Sequence, residues 1–200
     1  MQRPNNYDTV KAGGEFTPFE VGGHHLILKK VEEARSLAGR SMIIVAVDTA
    51  DTDKQPRYMS QEFKNDIRPE KKWPLVGRKY ILVEDKDGNC SRAFKSFITA
   101  VERSNPGFQC QWGDGFAAQF RGLKVGGVYG EVENEYNGKR SMRRELRWFC
   151  ADSQVETARV PEPKYLPNNN VTAPAPAQAQ ADAYAGFVNV SDIDTEEIPF

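Results

Sequence analysis

Between Pro161 and Asp182 the sequence reads Pro-Glu-Pro-Lys-Tyr-Leu-Pro-Asn-Asn-Asn-Val-Thr-Ala-Pro-Ala-Pro-Ala-Gln-Ala-Gln-Ala-Asp, and this stretch constrains the chain more than any other. It has almost no large apolar side chains, so it cannot bury enough surface to offset its own ordering entropy. Whatever core the 200-residue chain builds must come before it. The expected organisation is a folded domain over residues 1–161, a disordered Pro/Ala/Gln/Asn-rich linker over 162–191 and a short acidic tip over 192–200. A domain of about 160 residues is long enough for one ordinary core.

Charge follows the same division. The chain carries 27 Lys+Arg against 28 Asp+Glu, a formal net charge of -1. From Asn168 onward there are five acids and no Lys or Arg, which leaves the first 167 residues with 27 basic and 23 acidic side chains, a net +4. The longest uninterrupted apolar run, Met42 to Val47, falls far short of the ~18 residues of a membrane span. Met1 to Asp8 has no apolar core of the secretory type. A cytoplasmic location and no membrane partner are therefore expected. Cys90, Cys110 and Cys150 are too few and too scattered for a disulfide scaffold or a C-x-x-C metal site, so they are expected as free, half-buried thiols.

Within the domain, His24 to Val31 and Ser41 to Asp48 are β-rich runs separated by Ala38-Gly39-Arg40, the pattern of neighbouring antiparallel strands. Tyr80 to Val83 adds a short strand after a loop-like stretch from Arg68 to Gly77, and Gln55 to Lys64 reads as a strand or a mobile loop. Phe94, Phe97, Ile98 and Val101 fall at helical spacing and predict an amphipathic helix from Arg92 to Arg103, stopped by Asn105-Pro106-Gly107. Val128 to Glu135 and Lys139 to Cys150 then flank Tyr136-Asn137-Gly138, a hairpin signal. A three-residue loop would set Val132 opposite Met142, Val128 opposite Leu146, Glu131 opposite Arg143 and Glu135 opposite Lys139. Strands, one helix and a closing hairpin give a mostly β fold, an OB-fold-like barrel with one helix.

No catalytic constellation stands out. His24 and His25 are adjacent on a strand and point to opposite faces, so one metal cannot take both. Asp48, Asp51 and Asp53 lack the glycine and distal glutamate of an EF-hand and read as a solvated loop. Gly122 to Gly127 has no P-loop Lys-Ser/Thr, and tight bends at strand entry account for its glycines. No enzyme, metal or cofactor is expected.

Two basic stretches interleaved with aromatics are more informative. Lys64 to Tyr80 holds Lys71, Lys72, Trp73, Arg78, Lys79 and Tyr80, and the second hairpin strand holds Arg140, Arg143, Arg144 and Arg147. Lys and Arg neutralise phosphates, and aromatic rings stack on bases of any sequence. These residues, with Tyr58, are the candidate single-strand groove. The alternative is that the charges coat a solvated sheet face while Trp73 and Trp148 belong to the core.

The chain ends Asp192-Ile193-Asp194-Thr195-Glu196-Glu197-Ile198-Pro199-Phe200. Acids followed by Ile-Pro-Phe after a Pro/Gln-rich linker resemble the acidic tip of bacterial single-stranded DNA-binding proteins. Lys11 to Phe16, Phe94 to Glu102 and Ser104 to Phe108 resemble phage-encoded single-stranded DNA-binding proteins of replication and recombination modules. The resemblance implies an OB-like domain that coats single strands in the host cytoplasm. It also implies a tip, formed by Asp192, Asp194, Glu196, Glu197, Ile198, Pro199 and Phe200, that recruits replication, recombination or repair enzymes. It leaves open whether the chain forms homo-oligomers. A protein-interaction adaptor and an RNA-binding OB-like protein are the rival expectations.

Overall fold

The structure is a computed structural model and describes residues 2–5, 7, 8 and 17–167. Lys11 to Phe16, most of the expected linker and the whole expected tip lie outside the described residues. Among the described residues five strands and two α-helices run in the order β1 (Gly22–Arg35), β2 (Ser41–Thr49), α1 (Tyr58–Asn65), β3 (Arg78–Leu82), α2 (Arg92–Ser104), β4 (Lys124–Tyr136) and β5 (Lys139–Cys150). The strands form one antiparallel sheet in the order β3-β2-β1-β4-β5. No helix among the described residues is long and apolar enough to cross a membrane.

β1 organises the sheet. His24, Leu26 and Leu28 point inward in strict alternation, and an irregularity between Leu28 and Lys30 then resets the phase so that Val31 also faces the core. A bulge of this kind bends a strand. The bend lets the first half of β1 pair with β4 (Gly22 to Ile27) and the rest with β2 (Leu26 to Arg35). One buried cluster joins Leu26, Leu28, Ile43, Val45 and Val47 of the sheet with Phe97 and Val101 of α2 and with Phe120, Tyr129 and Leu146. The expected apolar stripe of α2 is buried, and its N-terminus is capped by the Ser91 hydroxyl, which accepts from the Phe94 amide at 3.1 Å.

Several expectations need correction. Gln55 to Lys64, expected as a strand or loop, largely forms α1, and its cap comes from another element: Asp48 of β2 accepts from the Met59 amide at 3.0 Å, from the Ser60 amide at 3.3 Å and from the Ser60 hydroxyl. Asp48 and Asp53 are accordingly buried rather than solvated, while Asp51 stays exposed beside Arg57. Asp53 accepts from the His25 amide at 2.8 Å and the Gln55 amide at 2.9 Å, and lies 3.0 Å from His24 Nδ1. His24 and His25 do lie on opposite faces, the first fully buried and stacked on Phe19, the second 2.7 Å from Asp152.

The hairpin loop has two residues, not three. Asn137 (φ 50°) and Gly138 (φ 72°) both take the left-handed conformation, as a type I′ turn requires. The register therefore shifts by one: Glu131 faces Arg144, Val132 faces Arg143, Glu133 faces Met142, Glu135 faces Arg140 and Tyr136 faces Lys139. An irregularity at Val128 moves it again, setting Tyr129 opposite Leu146 and Val128 opposite Trp148. Gly126 and Gly127 serve close approach rather than a bend, since a β-carbon on Gly126 would lie 2.8 Å from Val155 and one on Gly127 2.4 Å from Leu26.

Backbone pairing with β4 also occurs past Pro161. Lys164 donates its amide to the Glu131 carbonyl at 2.9 Å, and its own carbonyl accepts from Glu133 at 2.7 Å. Lys164, in the stretch expected as linker, thus forms a parallel bridge with Val132 of β4, past the residues that pair with β1.

Candidate nucleic-acid interface

The sheet has two edges, β3 and β5, and among the described residues no ladder joins them. Side chains meet there instead. Lys79 of β3 places Nζ 3.5 Å from a Glu145 oxygen of β5. Lys79 lies opposite Val45 on the core side of β2, which explains its burial. That burial pushes the ammonium pKa down despite the Glu145 charge, and the nearby cations Arg147 and Lys164 add to the effect. Arg147 Nη1 is itself buried and without a hydrogen-bond partner. Lys79 thus lies between one carboxylate and two further cations at this seam.

Beyond Tyr129 the β4–β5 hairpin outruns β1 and forms a two-stranded arm. Strand alternation divides its arginines: Arg140 and Arg144 share a face with the buried Leu146, whereas Arg143 shares the other with Glu145. The arginines expected to line one sheet face are thus split between two. Arg140 pairs with Glu135 at 3.0 Å and Glu133 at 3.7 Å, Arg143 with Glu145 at 3.4 Å, and Arg144 with Glu131 at 3.8 Å. These are partly exposed pairs, each worth about 0–1 kcal/mol. A phosphate can displace such a carboxylate at little cost.

The remaining candidates scatter around this arm. Arg78 and Tyr80 lie on the face of β3 away from Lys79, in rows with Ala46 and Lys30 and with Ile44 and Glu32 respectively. Arg78 is buried. Lys71 and Lys72 are exposed in the loop before Pro74. Trp73 is half-buried: its indole N–H donates to the Val47 carbonyl at 3.0 Å and its ring leans on Phe63. Gly77 packs close under it, since a β-carbon there would lie 2.6 Å from Trp73 Nε1. Trp73 is thus a packed wall with one part reachable. Tyr58 opens α1 against Phe19, and burial, with help from Glu62, raises its hydroxyl pKa to about 12. Arg144 is close enough to oppose that shift.

Residues not singled out from the sequence also belong to this picture. Tyr136 at the arm's tip and Tyr165 after Lys164 are each 67% exposed. Trp112 is 69% exposed and stacked on Phe116 at 5.5 Å, beside an apolar groove of about 480 Å³ lined by Val83, Phe94, Ile98 and Lys95. An aromatic in a polar loop was the available signal for each of these three. Among the described residues no cluster of three or more His, Cys, Asp or Glu side chains could hold a metal ion. Cys90 is exposed, Cys110 and Cys150 are half-buried, and all three are free thiols.

No protein-family model matches the chain, and no curated protein matches it in sequence.

Proposed function

We propose that the protein binds single-stranded DNA with little sequence preference and, through its acidic Ile-Pro-Phe end, recruits enzymes of DNA replication, recombination or repair. The observation that carries the reading is the arm: a hairpin reaching past the sheet, with Arg140, Arg143 and Arg144 in weak exposed pairs and the Lys79–Arg147 seam at its base. Phosphates would exchange with those carboxylates and rings would stack on bases, which favours single strands and carries little base information. The strand order β3-β2-β1-β4-β5, with a helix between β3 and β4, supports an OB-like arrangement in which Lys79–Glu145 bridges the open seam. The resemblance of the Asp192 to Phe200 stretch to the bacterial acidic tip supports the recruitment step, and the resemblance of Phe94 to Glu102 and Ser104 to Phe108 to phage-encoded proteins supports a phage setting.

The groove beside Trp112 favours a second reading, a protein-binding adaptor. Fluorescence titration with single-stranded DNA, duplex and RNA at two salt concentrations separates the readings. The proposal requires the single strand to bind tightest and to weaken steeply with salt. Equal affinity for duplex rejects the groove, preference for RNA moves the assignment to RNA, and no binding at all favours the adaptor.

A further inference from the structure

The segment after the Asp152–Thr157 turn has a course that the linker composition does not foretell. Pro161 sits in a notch on β4: a β-carbon on Gly130 would lie 2.5 Å from Pro161 Cγ and 3.2 Å from Arg147 Cγ, so the proline ring and the arginine stem share the space over that glycine. Three residues on, Lys164 closes a ring of two backbone hydrogen bonds with Glu131 and Glu133, and the Leu166 amide donates to the Glu133 carboxylate at 2.9 Å. The backbone is held, yet Lys164 and Tyr165 remain exposed, Tyr165 by 67%. Both therefore stand beside the arginine-bearing arm on a fixed backbone, with little further ordering cost on binding.

We propose that residues 161–166 are part of the single-strand interface, Lys164 adding a phosphate contact next to Arg147 and Tyr165 a stacking ring. This rests on the single-stranded DNA reading above. It extends the groove from the β4–β5 arm onto the segment from which the acidic end departs, so that a bound strand lies against the root of the tail. Three features fit a polynucleotide: a partly exposed cation, Arg147, a second and exposed cation, Lys164, on the neighbouring backbone, and an unpacked ring, Tyr165, next to that.

The test is a salt-resolved titration of the full chain and its Lys164→Ala and Tyr165→Ala variants with oligo(dT). Neither substitution removes a backbone hydrogen bond, and thermal melts of both variants should match the parent. Tyr165→Ala should weaken binding on the order of tenfold at fixed salt. Lys164→Ala should lower the log–log salt slope by about 0.7, the single-strand increment for one phosphate. If the parent binds oligo(dT) and both variants bind with unchanged affinity and slope, this inference is overturned while the single-strand reading stands. If the parent itself does not bind, both fall together.

Discussion

Lys79 and Glu145 meet between the edge strands β3 and β5, which no ladder joins among the described residues, 3.5 Å apart, with 14% and 31% of their side chains exposed. Glu145 also holds Arg143 at 3.4 Å. The carboxylate thus ties β3 to β5 while lowering the positive potential of the proposed groove. Glu145→Gln should cost stability, roughly 1–3 kcal/mol, between the values for exposed and buried pairs. The same change should tighten single-stranded DNA binding by removing a competing anion. A denaturant melt and a titration on one sample check both signs; unchanged binding by a folded variant would remove the seam from the interface.

Trp73 separates packing from stacking. Trp73→Ala removes a hydrogen bond to Val47 and the contact with Phe63, and should destabilise the fold by about 3 kcal/mol, the low end for a tryptophan because the ring is only half-buried. Trp73→Phe should restore most of the packing and keep a stacking face. If Trp73→Phe binds DNA normally while a folded Trp73→Ala does not, the ring touches bases; equal binding by both assigns it to packing alone.

The cap on α1 predicts a large effect from a small change. Asp48→Ala leaves the Met59 and Ser60 amides without their acceptor in a buried setting, and should cost about 2 kcal/mol. Asp51→Ala, in an exposed pair with Arg57, should be close to neutral. Melting temperatures of the two variants compare the buried and the solvated carboxylate directly.

His25 gives a pH dependence of defined sign. Burial works against its charged form, but the hydrogen bond and charge of Asp152, the hydrogen bond of Glu156 and the charge of Asp53 prevail and raise its pKa above the ordinary 6.5. A group raised on folding contributes stability that is fully present below 6.5 and is lost as pH rises through the folded value. Melting temperature should therefore fall across that window in the parent, and less so in His25→Asn. Amide exchange in the Asp152–Thr157 turn, which His25 clasps, should quicken over the same range.

For the acidic end, deleting Phe200 should abolish capture of partner enzymes while DNA binding survives, because Phe200 supplies the aromatic ring of the Ile-Pro-Phe motif. A chain ending at Pro167 should keep its cooperative melt and change its formal net charge from -1 to +4. It should bind DNA equally or more tightly, most visibly at low salt. Identical partner sets with and without Phe200 in a pull-down would remove the docking role.

The sequence by itself determined the order of the five strands and α2 and the division between a basic body and an acidic end. Both are local properties: strand runs, the stripe Phe94–Phe97–Ile98–Val101 and the Asn137-Gly138 turn can each be read within a dozen residues. Register was not local enough, because one left-handed residue more in the turn moved every cross-strand pair and divided the arginines between two faces. α1 escaped notice because its cap, Asp48, lies on the preceding strand and only Met59 anchors its face. Asp53 looked solvated for the same reason, its partners His24 and His25 being brought to it by β1. Composition assigned Lys164 and Tyr165 to a linker, and only the free flank of β4 beyond the end of β1, together with the notch at Gly130, gave that segment a place to pair. Periodicity fixes which face of an element turns inward, but backbone groups left open by one element are satisfied by whichever segment the fold carries to them.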